Sequence, residues 1–115
     1  MYRIYHDFNK SGDCPEEGKT SAPLVCMGTK RDLDALGITL KEGMEVLLYM
    51  PDAQFDSAGA PDDLEVRATI RYDAREKCFV GDYVIDDLMY RTEAEARKKA
   101  QPGGTDNSGA APLRV

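Results

Sequence analysis

At 115 residues, with 21 acidic and 15 basic side chains and a formal net charge of -6, the chain fits a single domain that buries roughly two thirds of its unfolded surface without disulfide or metal staples. Its negative field disfavours phosphate backbones, whose capture needs clustered Lys and Arg, so nucleic acid is excluded as an expected partner. Cys14, Cys26 and Cys78 make neither a C-x-x-C nor a zinc-type pair and are expected as free thiols in a reducing cytoplasm, while the lack of a leader pattern and of any apolar stretch of about 18 residues excludes export and membrane spanning from the expectation.

Tyr2 to Phe8 alternates Tyr2, Ile4, His6 and Phe8 against Arg3, Tyr5 and Asp7, which predicts a first strand. Asn9 to Ser21 collects Asn, Lys, Ser, Gly, Asp, Pro and Glu and is expected as a loop. Within it, Asp7-x-Asn9-x-Ser11-Gly12-Asp13 places oxygen-bearing side chains on alternate residues with Gly at the sixth position, the pattern of a calcium loop. The twelfth position is Gly18 where a bidentate Glu is needed, Glu17 comes one place early, and Pro15 stands at the ninth. A polar connection is therefore the main expectation. A weak calcium or magnesium site formed by Asp7, Asn9, Ser11, Asp13 and Glu17 is the alternative. His6, the sole histidine, next to Asp7 and eight residues before Cys14, supplies a candidate general base for a small enzyme. Its other reading is a half-buried ring with one hydrogen bond.

Ala22 to Gly28 is a short apolar run that predicts a buried strand. The next segment predicts a short helix near Arg31 to Leu36, with Thr29 as cap, an apolar stripe of Leu33 and Leu36, and Gly37 suited to a left-handed exit. Met44 to Met50 predicts a strand that is apolar on both faces: Val46, Leu48 and Met50 point one way, Leu47 and Tyr49 the other. A helix or another chain has to cover its second face.

Pro51 to Asp63 is a long connection holding Asp52, Asp56, Asp62 and Asp63 without Lys or Arg, long enough to be mobile or functional. Leu64 to Asp73 predicts the clearest strand, with Leu64, Val66, Ala68, Ile70 and Tyr72 inward and a span of roughly 33 Å that calls for a strong bend. Ala74 to Lys77 forms a hairpin tip and Cys78 to Ile85 returns, interrupted by Gly81, which marks a bulge or a close backbone approach. Asp86 and Asp87 make a further turn, and Leu88 to Arg91 a short last strand. Thr92 and Glu95 form a capping box for a helix near Glu93 to Ala100, supported by the pairs Glu93 with Arg97 and Glu95 with Lys99. Residues 101–115, rich in Gly, Ala, Pro and Ser, are expected to be a disordered tail.

Arg67-Ala-Thr-Ile-Arg71 has an R-x-x-x-R spacing that resembles the motif of PilZ domains, which bind cyclic dinucleotides. That family places its arginines ahead of the barrel and follows them with [DN]-x-S-x-x-G. Here the pair sits inside a strand, and Asp106 to Ala111 lacks the final Gly, so the PilZ assignment is rejected. More broadly, MYRIYHDFN, LKEGMEVLLYMPD and EVRATIRYDAREKCFVGDYV resemble small bacterial β-barrel proteins of unassigned function. The resemblance implies a compact barrel and no active residues.

The fold class expected is mainly β (α+β): residues 1–100 as a small, strongly bent antiparallel barrel or half-barrel, SH3-like or OB-like, with one or two short helices. Tyr5, Tyr49 and Tyr83 are expected on the second face and, with Leu47 and with Arg67 or Arg71 at the edge, make the candidate interaction patch. The expected function is a non-enzymatic cytoplasmic binding or accessory module that takes a protein partner or a second copy of itself, without a cofactor. The divalent-cation loop and the enzyme using His6 with Cys14 or Asp7 are the alternatives.

Overall fold

The computed structural model describes residues 1–100; the tail expected over 101–115, and the Asp106 to Ala111 segment within it, lie outside the described residues. The fold is mixed α+β. Its strands are β1 (Tyr2–Tyr5), β2 (Gly12–Asp13), β3 (Lys19–Pro23), β4 (Glu45–Met50), β5 (Leu64–Asp73), β6 (Cys78–Val84) and β7 (Met89–Tyr90), with helices α1 (Met27–Leu36) and α2 (Arg91–Ala100). One seven-stranded sheet runs β1-β4-β5-β6-β3-β2, and β7 pairs with β5.

This sheet is open, which overturns the closed barrel, its SH3-like or OB-like form, and the resemblance to small bacterial barrel proteins. Its ends, β1 and β2, do not pair with each other. The sheet is also not wholly antiparallel, because β1 runs parallel to β4, from Tyr2 opposite Val46 to Tyr5 opposite Tyr49. A parallel pair needs a long crossover. The chain between β1 and β4 supplies one, and α1 lies within it.

The strand alternation then sorts the two faces. Ile4, Val46, Leu48, Val66, Ala68, Ile70, Ala22 and Tyr83 fill the core face, joined by Leu24 and Leu40, and burial of their apolar surface drives the fold. Gly81 sits in unbroken register with Ala22 and Ile70. A Cβ there would come within 3.2 Å of Ala68 Cβ and Leu48 Cδ1, so the glycine serves close approach and no bulge. Tyr72, expected inward, is instead exposed at the strand end, edge-on to the Phe79 ring at 5.3 Å.

Several boundaries move for tertiary reasons. The first strand stops at Tyr5, because Asp7 Oδ1 accepts the Asn9 amide at 3.0 Å and starts a 3-10 turn over Phe8–Lys10. The segment expected as a loop holds the short strand β2, and β3 opens at Lys19, not Ala22, and ends at Pro23. Helix α1 begins at Met27 after Cys26 and closes, as expected, at Gly37 in the left-handed region with φ of 67°. At α2 the Thr92 side chain is not a local cap. Its amide and hydroxyl both donate to the buried Asp62, at 3.0 and 2.6 Å, so the Pro51 to Asp63 connection caps the helix from outside.

Edge strand β1 is closed by α1. The Tyr5 amide donates to Asp32 Oδ2 at 2.9 Å, and the Tyr5 carbonyl accepts from Thr29 Oγ1 at 2.6 Å, which satisfies both outward groups of Tyr5 on an otherwise sticky edge. Asp32 Oδ2 also accepts from the Tyr49 hydroxyl at 2.8 Å. Approach this close requires Gly28, whose added Cβ would fall 2.9 Å from Tyr5 Cγ and Cε1. Replacing Asp32 with Ala is expected to cost about 3 kcal/mol in urea unfolding, since a half-buried amide and a phenol lose their acceptor. Gly28→Ala is expected to cost about 1–3 kcal/mol by overpacking; wild-type stability in either variant would show that α1 is not held by these contacts.

Candidate functional site

The His6 region forms a closed polar cluster. His6 is 1% exposed, its Nε2 lies 3.0 Å from Ser11 Oγ, and the Tyr83 hydroxyl donates to the same Ser11 oxygen at 2.8 Å. Phe8 stands edge-on to both the His6 and Tyr83 rings, at 5.2 and 5.7 Å. His6 Nδ1 is buried and has no hydrogen-bond partner among the described residues, and burial pushes the His6 pKa down to about 4, against a smaller upward pull from Asp7. With no ring atom presented to solvent, His6 is built as an interior group. Among the described residues the His6 ring bonds Ser11, and Cys14 makes no hydrogen bond with it.

The residues of the cation loop are placed separately. Asp7 caps the 3-10 turn, Ser11 turns inward to His6 and Tyr83, and Asp13 is carried into register with Thr20 on β3. Among the described residues no three His, Cys, Asp or Glu side chains gather in a form that could hold a metal ion.

On the sheet's outer face, the six expected interaction residues divide. Tyr83 is removed from the set: it lies on the core face, 2% exposed, because β6 alternation puts Gly81 and Tyr83 on that face and Asp82 on the opposite one, together with Val80, which is itself buried. Tyr5 and Tyr49 do converge, edge-on at 5.9 Å, but α1 closes over them through Asp32. Arg3 lies over the Tyr49 ring at 3.8 Å and pairs with Asp63 and Glu65 at 2.5 and 3.1 Å. Arg71 is engaged at the far end of the face. Its Nε donates to Asp82 Oδ2 at 2.7 Å and its Nη2 to Asp82 Oδ1 and Ser21 Oγ at 3.2 and 3.1 Å. Burial pushes the Asp82 carboxyl up, but hydrogen bonds from Arg71 and Ser21 outweigh it and hold the group below its ordinary value.

Leu47 and Arg67 remain, opposite one another on β4 and β5. They lie beside a break in the sheet. The β5–β6 ladder ends at Thr69 opposite Asp82, and the β5–β7 ladder resumes at Glu65 opposite Met89. Asp82 to Met89 is seven steps against four from Thr69 to Glu65, so the chain facing Arg67 carries three extra residues, taken up by a 3-10 turn over Ile85–Asp87. Ile70 directs its amide to Met44 on the β4 side, and alternation therefore turns the Arg67 peptide toward this break.

A groove of about 900 Å³ opens there between the sheet and α2. Leu47, Met89 and Ala94 give it an apolar lining, and Arg67, Arg97 and Lys98 stand around it. Glu65 is engaged by Arg3, and Glu95 by Arg91, which also reaches Asp56. Arg67 and Lys98 make no ion pair among the described residues. Asp87 lines it too, without an ion pair among the described residues, so the unpaired charge is two cations against one carboxylate, and the groove suits an apolar side chain flanked by a carboxylate. Met89, Ala94 and Lys98 were missed in the sequence, where the i,i+4 spacing of Ala94 and Lys98 was the available signal.

The Pro51 to Asp63 connection borders this groove and is tied down at each acid. Asp52 accepts from the Tyr90 hydroxyl at 2.5 Å, Asp56 from the Ala58 and Ala60 amides and from Arg91, each at 2.9 Å, and Asp63 from Arg3. The Ala60 amide first, and then Arg91, hold the Asp56 carboxyl below its ordinary value. No helix among the described residues is long and apolar enough to cross a membrane.

The buried imidazole makes stability fall with pH. Unfolded His6 takes up its proton near 6.5, whereas folded His6 resists until about 4, so the contribution is complete above 6.5 and is lost progressively down to about 4. From pH 7.5 to 5.0, His6 is expected to remove about 2 kcal/mol of stability, a loss absent from His6→Leu when both proteins are unfolded in urea at the two pH values. Equal pH dependence in the two would show that the native ring is hydrated. Comparison of the chain with protein-family models, with curated proteins and with solved structures gives no match.

Proposed function

We propose that the chain is a non-enzymatic binding or accessory module whose docking face is the groove between β4, β5 and α2. The observation that supports this reading most directly is the position of Leu47. The outer face is closed at one end by α1 over Tyr5 and Tyr49 and at the other by the Arg71–Asp82–Ser21 network. Between them Leu47 is left half-buried beside Met89 and Ala94 in a groove of about 900 Å³. A concave apolar patch with a polar rim is the usual anatomy of a docking surface. The break opposite Arg67 adds peptide groups that an incoming chain can hydrogen-bond.

Immobilised wild-type protein is expected to retain a protein partner that Leu47→Asp and Ala94→Asp each bind at least about tenfold more weakly. Near-UV circular dichroism of the two variants should match wild type, as both positions lie at the groove and outside the core cluster. Identical retention by all three proteins would remove the groove from the binding function.

A further inference from the structure

We propose that the groove accepts the Pro51 to Asp63 loop of a second copy of this chain, so that two copies exchange loops across a two-fold axis. The inference rests on the groove being a docking face, as argued above, and names its occupant.

Two features of one molecule complement each other. The loop carries four aspartates and no cation, and at its tip Phe55 is 67% exposed. Asp52 is exposed and held by the neutral Tyr90 hydroxyl, so its charge has no cation against it among the described residues. The groove offers the converse: apolar side chains to receive an aromatic ring and two cations, Arg67 and Lys98, that make no ion pair among the described residues, against one unpaired carboxylate, Asp87. An exposed aromatic anchor with a complementary charged rim is the pattern of an interface centre.

The loop is also held in shape before any encounter. The Phe55–Pro61 bridge closes it, the Asp62 amide donates to the Gln54 carbonyl at 2.8 Å, and Arg91 Nη2 donates to Asp56 and to the Pro61 carbonyl, both at 2.9 Å. A loop already ordered gives up little conformational entropy on docking. Neither Asp52 nor Phe55 is among the residues that line the groove of their own molecule, so both are left for a second copy. Arg91 both grips the loop and lines the groove, so donor and acceptor surfaces share a border. Adjacent complementary surfaces are what a closed isologous dimer requires.

Sedimentation equilibrium of the full chain, from about 5 μM to 1 mM, is expected to show a mass rising from 12.7 kDa toward twice that value. On dilution, amide shifts should move in residues 51–63 and around Leu47, Arg67 and Ala94. Phe55→Ser, which alters an exposed side chain, and Arg67→Glu are each expected to raise the dimer dissociation constant at least about tenfold while leaving the thermal midpoint of the monomer in place. A monomer at every concentration, a dimer indifferent to Phe55→Ser, or shifts centred on the β1 edge would each overturn the proposal. Those outcomes leave the groove reading intact if Leu47→Asp still loses a different protein, and a failure of both experiments removes both.

Discussion

The outward peptide of Tyr5 is the constraint from which the arrangement of the molecule follows. Strand β1 enters the sheet parallel to β4 and at its edge, where an unmatched amide and carbonyl invite another strand. Asp32 and Thr29 answer both groups from one helix, and that helix is the crossover that the parallel pairing requires. Once α1 stands at this edge, Leu33 is set against the core and Asp32 reaches the Tyr49 hydroxyl on the outer face. One docking contact thereby fixes what the sheet can still expose.

The remainder of the outer face is organised by charge. A chain with a net charge of -6 places its arginines where they hold separate elements together: Arg3 joins β1 to Asp63 and Glu65, Arg71 joins β5 to β6, and Arg91 joins α2 to the Asp56 turn. Exposed pairs of this kind add little stability singly. Their larger effect is positional. Bidentate contact to Asp82 fixes the Arg71 fork in a way that a lysine could not reproduce, and the acidic connection, which composition alone would leave mobile, becomes a shaped loop.

Much of the scaffold was legible in the residues. The alternation of Leu64 to Asp73 gave β5 with its bounds, Gly37 gave the end of α1, and Gly81 pointed to close backbone approach, because each is a local consequence of side-chain period or of a missing Cβ. The need for a cover over Tyr49 was also visible, and α1 meets it. What failed was non-local. Parallel pairing of β1 leaves no trace in period-two alternation, so an open sheet and a barrel look alike strand by strand. Tyr83 was assigned to the wrong face because Gly81 gives the β6 alternation no side chain on the core side. Thr92 looked like a self-sufficient cap, whereas Asp62, thirty positions away, does the capping. The groove depends on three extra residues opposite Arg67, a mismatch between two strands that no single segment records.

The hydrogen bonds at Tyr5 make one proton a clock for the helix. The Thr29 hydroxyl gives its hydrogen to the Tyr5 carbonyl, so the Cys26 thiol 3.0 Å away is the donor to Thr29 Oγ1; sulfur, hydroxyl and sheet edge form one relay. The Tyr5 amide is shielded from water by a side chain on α1 and by no neighbouring strand. Its exchange with solvent deuterium therefore follows the undocking of α1 and not the opening of the sheet, and a bulky adduct on the Cys26 sulfur would quicken that exchange while amides of the β4–β5 ladder kept their pace.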